Sequence, residues 1–397
     1  MQFFLAAILV AQVPDSITLE LALARARVNR PRVTATAAVV ERARGAARLA
    51  SAIPNPTAQF EADDNAPTYK ITATQSLAWL PRRGADLATG RALIERARAD
   101  SAQSLAEVGR DVMRSFFGAL AADRRNVLAA EQSALADSLA RLARRRAVAG
   151  DISDLERDQI SLEASRARLV AAQARETARV LRAELARAVA WEGATPPTPA
   201  GALDQGLSDE VLPTQADPSL NALPSVRGPV ADSAAAAARL RGARIARIPF
   251  PGLVIGREWG GGSGGATLNR NLILGVAIPI PLFSLGGEAV QQARGAAVEQ
   301  AALAAEARLA ARSELEGAHA RADESRRRAQ FARDSLLPEA RRVRAGAVRL
   351  YEEGRTSVLP VLDALRAERE VSRATVAELL AFQEARADLA AVLGRWP

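Results

Sequence analysis

The 397-residue sequence predicts a mainly α-helical fold with a membrane β-barrel contribution, built from one unit used twice: helix, β-hairpin, long helical hairpin. Two paired signatures and one periodicity carry that prediction. Ile53-Pro54-Asn55-Pro56 returns as Ile248-Pro249-Phe250-Pro251, and Gly150-Asp151-Ile152-Ser153-Asp154-Leu155 returns as Gly354-Arg355-Thr356-Ser357-Val358-Leu359. The period, ~200 residues, is far longer than a solenoid repeat, so a whole structural unit is duplicated. In each half, a stretch that alternates with period two leads into a very long helical pattern. One hairpin per unit cannot close a sheet, so several copies must share one barrel.

Residues 1–11 begin the chain with an apolar run, Phe3 to Ala11, too short to span a bilayer but suited to the core of a secretory signal. Leu9-Val10-Ala11 offers a weak cleavage site, and no basic residue precedes the run. The first repeat occupies 12–194. Its opening helix is expected from Thr18, whose hydroxyl can accept from a first-turn amide, to Ser51, where Pro54 and Pro56 remove donors and force extended backbone. Strands follow at 57–63 and 69–79. In the second, Tyr69, Ile71, Ala73, Leu77 and Trp79 fall on one face, opposite Lys70, Thr72, Thr74 and Ser76. That alternation suits a half-buried soluble sheet as well as a barrel strand.

The next segment decides between them. From 82 to 147 nothing interrupts the helical pattern, which amounts to ~100 Å of helix, more than a globular domain can use. Leu128, Leu135, Leu139 and Leu142 keep coiled-coil spacing. After the Gly150 turn a second helix returns over 152–191. Residues 195–229 hold seven prolines and little periodicity, and read as an irregular connector across the outside of an assembly. The second repeat, 230–397, places strands at 253–259 and 268–280 and helices at 285–353 and 357–396. The glycine run 260–265 lacks the Lys-Ser/Thr of a phosphate-binding loop and reads as a hairpin tip.

Composition excludes most chemistry. There is no cysteine, His319 is the only histidine and lies in a charged helical stretch, and Met1 and Met113 are the only methionines. Nucleophile–base relays, thiolate zinc sites and soft metal sites therefore lack their parts, and no enzyme activity, catalytic residue, metal site or cofactor is expected. The formal charge is +8, carried by arginine apart from Lys70. These arginines are interleaved with Asp and Glu at helical spacing, the pattern of solvated helix faces and not of a nucleic-acid footprint.

The ordered, duplicated signatures resemble the outer-membrane efflux proteins of the TolC type over Ile17 to Gly394. Within that family they are most similar to the outer-membrane components of heavy-metal cation efflux systems. Pro54-Asn55-Pro56 resembles the helix-to-strand break, and Pro279-Ile280-Pro281-Leu282-Phe283 with Gly286-Gly287-Glu288 resembles the strand-to-helix exit. Tyr351-Glu352-Glu353-Gly354 with Leu362-Asp363-Ala364-Leu365-Arg366 resembles the periplasmic tip. Arg30 stands where the family often has Asn before Pro. The resemblance implies a homotrimer with a twelve-stranded barrel in the outer membrane and a helical tunnel in the periplasm. It also implies a periplasmic adaptor protein and an inner-membrane RND-type pump as partners. Metal cations, drugs or a secreted protein remain open as cargo, and a soluble coiled-coil scaffold is the alternative of another class.

Residue expectations follow. Gly150, Ser153, Leu155, Gly354, Ser357 and Leu359 form the adaptor-docking tip, the serines capping the returning helices. Tyr69, Ile71, Leu77 and Trp79 face outer-membrane lipid. Asp151 and Asp154, with Arg355 at the matching turn, either gate the entrance through charge links or simply cap and solubilise the returning helix.

Overall fold

The protein is described from a computed structural model over residues 16–63, 68–208, 219–262 and 266–396. The signal-like run 1–11, residues 64–67 between the first two strands, and residues 263–265 of the glycine run lie outside the described residues. The chain divides into two compact units.

The first unit takes the described parts of Met1–Ala35, Gln103–Pro218 and Ser313–Pro397. Strand β1 (Ser16–Ile17) pairs in parallel with β4 (Thr198–Pro199), burying Ile17 completely. Helix α1 (Leu19–Asn29) is capped by Thr18, whose hydroxyl accepts from the Leu21 amide at 3.3 Å. The single opening helix expected from the sequence is broken at Arg30, which takes an extended conformation because Pro31 follows it. Helix α2 (Pro31–Ala50) then starts on that proline.

The long helices of this unit are the distal part of α3 (Trp79–Ala149), α4 (Asp154–Ala188), the end of α6 (Gly287–Phe331), α7 (Leu337–Glu352) and α8 (Val358–Val392). Between α6 and α7 lies a π turn, Ala332–Leu336, closed by the Leu337 amide on the Ala332 carbonyl. Pro338 supplies the reason: it cannot donate to the preceding turn, and widening the turn relieves the clash. The buried Thr375 hydroxyl lies 3.4 Å from the same Ala332 carbonyl.

Buried positions in both units are dominated by alanine, with few large side chains such as Phe116, Phe117, Phe382 and Tyr351. Small residues let helices approach closely. In the second unit, Thr36–Ala102 with Ser219–Arg312, a β-carbon on Gly90 of α3 would come within 3.0 Å of that of Ala47 on α2.

The described parts of the proline-rich connector are packed or helical, where its composition suggests irregularity. Leu203 and Leu207 are buried, and the fully buried Gln383 of α8 donates to the Leu203 and Gln205 carbonyls, each at 2.9 Å. Its other end is helical: α5 (Pro224–Ala246) begins within the stretch expected to be irregular. Pro224 sits at the first helical position, where no donor is needed, and the alanine-rich run from Ala231 outweighs the interruption at Pro229.

The second unit also holds a four-stranded antiparallel sheet in the order β2 (Thr57–Asp63), β3 (Thr68–Ser76), β5 (Gly252–Gly262), β6 (Ala266–Ala277). The two hairpins, distant in sequence, are joined through β3 and β5. Strands β2 and β6 are its open edges.

Candidate functional site

The register of the sheet fixes which side chains share a face. Residues paired directly across antiparallel strands lie on one side. Phe60 pairs with Ile71, Ile71 with Arg257, and Arg257 with Leu272. Tyr69 pairs with Trp259, and Ile255 and Leu253 pair with Leu274 and Val276. Apart from Arg257 and Arg270 this face is apolar, and apart from the half-buried Trp259 its large side chains are exposed, from 44% at Tyr69 to 71% at Leu274. Three rings run across it: Phe60 and Tyr69 stack at 6.3 Å, and Tyr69 and Trp259 at 6.2 Å. The opposite face carries Thr57, Gln59, Glu61, Lys70, Thr72, Thr74, Glu258 and Asn271. Lys70 pairs with Glu61 at 3.2 Å and lies opposite Glu258 in the register.

Two of the residues expected on the apolar face are elsewhere. Strand β3 ends at Ser76, so Leu77 has left the sheet and donates its amide to the Pro251 carbonyl at 3.1 Å. Trp79 opens α3, with the Arg83 guanidinium 5.4 Å from its ring. The period-two pattern runs on past Ser76 in the sequence, but the backbone has already turned into the helix.

In the first unit, α3 and α7 each end in a glycine-closed reversal. Gly150 has φ +83° and Gly354 φ +74°, the left-handed region in which a β-carbon is penalised. The Asp151 amide reaches back to the Arg146 carbonyl at 2.9 Å, and the Arg355 amide to the Leu350 carbonyl at 2.8 Å. Both are six-to-one closures that satisfy orphan carbonyls at a helix end. The repeat is thus matched down to single hydrogen bonds. The caps beyond it are not. Ser153 accepts from the Glu156 amide at 3.2 Å while the Glu156 carboxylate accepts from the Ser153 amide at 3.1 Å, a complete capping box. Ser357 stands at the equivalent place with no side-chain capping bond, so the expected second cap is not made.

The turns present apolar side chains to solvent: Val148 is 92% exposed, Leu155 68% and Leu359 58%. Beneath them lies a core of Leu139, Ala143, Ile160, Tyr351, Val361 and Leu365, drawn from α3, α4, α7 and α8. Arg146 ties the two reversals together, donating to the Tyr351 carbonyl at 2.8 Å and the Glu352 carbonyl at 2.9 Å, with its guanidinium 4.9 Å from the Tyr351 ring. Burial pushes the Tyr351 phenol above its ordinary range.

The charges expected to link across the turns find nearer partners. Asp154 pairs with Arg157 at 2.6 Å, one helical turn on, and Arg355 pairs with Glu353 at 3.3 Å. Asp151 is exposed. Within one chain, then, Arg355 does not bridge to Asp151 or Asp154.

Sequence reasoning missed the helix-to-helix ion pairs. Glu163 of α4 has a side chain only 4% exposed and meets Arg369 of α8 at 2.6 Å and Arg366 at 3.7 Å. Arg182 meets Asp123 at 2.9 Å, and Arg114 meets Asp388 at 2.7 Å. A buried carboxylate of this kind is tolerable only with its cations in place. Several arginines are therefore engaged between helices. Among the described residues no three His, Cys, Asp or Glu side chains gather as a metal site would require. No described helix is long and apolar enough to cross a membrane.

Comparison with known proteins agrees with this geometry. Residues 221–395 match the family described as Outer membrane efflux protein. The cobalt-zinc-cadmium resistance protein CzcC of Cupriavidus metallidurans is 28% identical over 361 residues, covering 88% of this chain and 83% of that protein. Among solved structures, CusC matches with a TM-score of 0.78 at 18% identity, covering 95% of this chain and 92% of the other. The outer membrane protein VceC of Vibrio cholerae matches with a TM-score of 0.75 at 16% identity, covering 96% and 97%. With its duplicated helical hairpins and its four-stranded sheet, the chain is similar in fold to outer-membrane efflux channels over nearly its whole length, and its second half matches the outer membrane efflux protein family.

Proposed function

We propose that three copies of this chain close a twelve-stranded barrel and work as the passive outer-membrane duct of a tripartite efflux pump. The observation that carries this reading is the four-stranded sheet with one exposed apolar face, one polar face and two open edges. In hydrocarbon every backbone donor and acceptor needs a partner, so β6 of one copy must meet β2 of the next until the ring closes. The apolar face then meets lipid and the polar face, with Lys70, Glu61 and Glu258, lines the lumen. The likeness to outer-membrane efflux proteins favours an efflux channel over an enzyme and over the soluble scaffold.

The reversals at Gly150 and Gly354 are the end that docks a periplasmic adaptor, itself coupled to an inner-membrane RND-type pump. The exposed Val148, Leu155 and Leu359 over a rigid core support this: apolar anchors on a fixed scaffold make good contact points. Asp151 and Asp154 cap and solubilise the start of α4, as the capping box and the Asp154–Arg157 pair suggest. Heavy-metal cations are the favoured cargo because the relative of matching length is a cobalt-zinc-cadmium resistance protein. A wide lumen need not bind what it passes, so the lack of soft ligands is compatible with that cargo.

Photo-crosslinking in cells tests the orientation. A crosslinker at Leu155 or Leu359 is expected to trap a periplasmic adaptor, and one at Phe60 to trap lipid only. Adaptor trapped from Phe60 and not from either turn overturns the reading.

A further inference from the structure

Two cations interrupt the apolar face of the sheet, and a duct has no need of them there. Arg257 on β5 lies opposite Ile71 and Leu272, and Arg270 on β6 lies opposite Trp259. Both are exposed, and among the described residues neither has an acidic partner. The register makes them diagonal neighbours across two strands, with β-carbons about 7–8 Å apart. The acidic side chains of the neighbouring rungs, Glu61 and Glu258, are on the other face, beside Lys70. Charge is thus sorted by face: unpaired cations outside, acids inside.

Their height on the sheet is equally specific. They sit next to the row formed by Phe60, Tyr69 and Trp259, at the end of the strands nearer the hairpin connections. Towards the other end the same face runs through Leu274, Ile255, Val276 and Leu253 with no charged residue. An aromatic row marks the boundary between hydrocarbon and headgroups. Arg270 is level with Trp259 and Arg257 is level with Phe60. A cation at that height can extend its long stem towards the headgroups, but it gains from doing so only if an anion waits there.

On the barrel reading proposed above, we infer that Arg257 and Arg270, flanked by Tyr69 and Trp259, form a binding site for a phosphorylated lipid headgroup. The lipid lies in the leaflet that faces the hairpin connections. The chemistry fits a glycolipid with two phosphates on a sugar headgroup. Two guanidinium forks on adjacent strands engage phosphate oxygens bidentately, and the stacked rings offer a flat apolar surface to the sugar and the first acyl carbons. Closure of the ring repeats the site once per copy, so each assembly carries a belt of such lipids around its rim.

The test uses the full-length protein in nanodiscs of phosphatidylcholine containing a minor fraction of bisphosphorylated lipid A, with bound lipid counted by native mass spectrometry after detergent exchange. Wild type is expected to retain lipid A. The double variant Arg257→Gln, Arg270→Gln is expected to retain it about thirtyfold more weakly, as two lost interfacial cations imply. Lys70→Gln, on the opposite face, is expected to retain it normally, and Arg257→Lys with Arg270→Lys to fall between. Retention by the double glutamine variant equal to wild type overturns the site and leaves the barrel standing. So does complete displacement of lipid A by millimolar inorganic phosphate, which points to a free-anion site, or equal retention of phosphatidylglycerol, which points to bulk charge. Failure of the wild-type protein to enter the nanodiscs overturns the barrel reading, and the site with it.

Discussion

Depth along the sheet should decide how much a new charge costs, and two positions on the apolar face separate depth from mere exposure. Leu274 lies four residues from Arg270 on β6 and is 71% exposed in the single chain. At ~3.3 Å per residue it is ~13 Å along the strand, and with a tilt of ~40° it is ~10 Å below the aromatic row. The apolar band of such barrels is ~25 Å tall, so Leu274 is close to the midplane. Ile71 lies two residues from Tyr69, which puts it only ~5 Å below the row by the same geometry. Leu274→Arg should therefore cost about 2–4 kcal/mol per chain, and about three times that in a trimer, because every copy bears the change. Ile71→Arg should cost about 0–1 kcal/mol for its depth, plus up to ~1 kcal/mol for standing opposite Arg257. The assay is the yield of heat-modifiable trimer in outer membranes, followed by urea titration of the protein folded into lipid vesicles. Leu274→Arg should abolish assembly while Ile71→Arg and the lumen-facing Thr72→Arg still assemble. If Ile71→Arg proves as damaging as Leu274→Arg, the placement of the band is wrong, and if Leu274→Arg is harmless, this face does not meet lipid.

Two further predictions concern the helical unit. Helix α4 closes on Ala190 at φ +50°, where the matching end of α8 uses Gly394 at φ +66°. A left-handed alanine costs ~1–2 kcal/mol and the extra freedom of an unfolded glycine costs ~0.4–1 kcal/mol, so Ala190→Gly should stabilise by roughly 0.5–1 kcal/mol. A lowered midpoint in thermal unfolding followed by circular dichroism would contradict this. Replacing Asp151 and Asp154 together with Asn should leave single-channel conductance, open fraction and cation preference unchanged, since Asp154 is already engaged with Arg157. A clear fall in cation preference would restore the charge-gate reading.

Much of this was legible in the sequence because it was written in residues with few conformational options. Gly150 and Gly354 can take a backbone conformation other residues avoid, and Pro54 and Pro249 can end helices without any tertiary context. Period two exposed the strands, and duplication fixed their order. What escaped were features set by partners far away in the chain. The joining of β3 to β5 places Arg257 beside Ile71, and no local pattern reveals that. Glu163 and Arg369 are 206 residues apart, and each alone looks like an ordinary exposed charge. Proline misled in both directions. Pro224 and Pro229 belong by composition to an irregular connector, although both are absorbed into α5, and nothing local to Pro338 announces the π turn it follows. Trp79 was misplaced because its side-chain parity persists after the strand has ended.

The unequal edges of the sheet have a genetic consequence. Edge strand β2 has seven residues and edge strand β6 has twelve, and neither can complete its hydrogen bonds within its own chain. If copies close a ring through these edges, a ring is only as good as its worst junction. One copy with a damaged β2 spoils every ring it enters, including the healthy copies on either side. Alleles altered in β2 should therefore be dominant when co-expressed with wild type, and the surviving activity should fall with the cube of the sound fraction and not in proportion to it. Alleles that prevent a chain from folding at all never reach a ring, and these should be recessive.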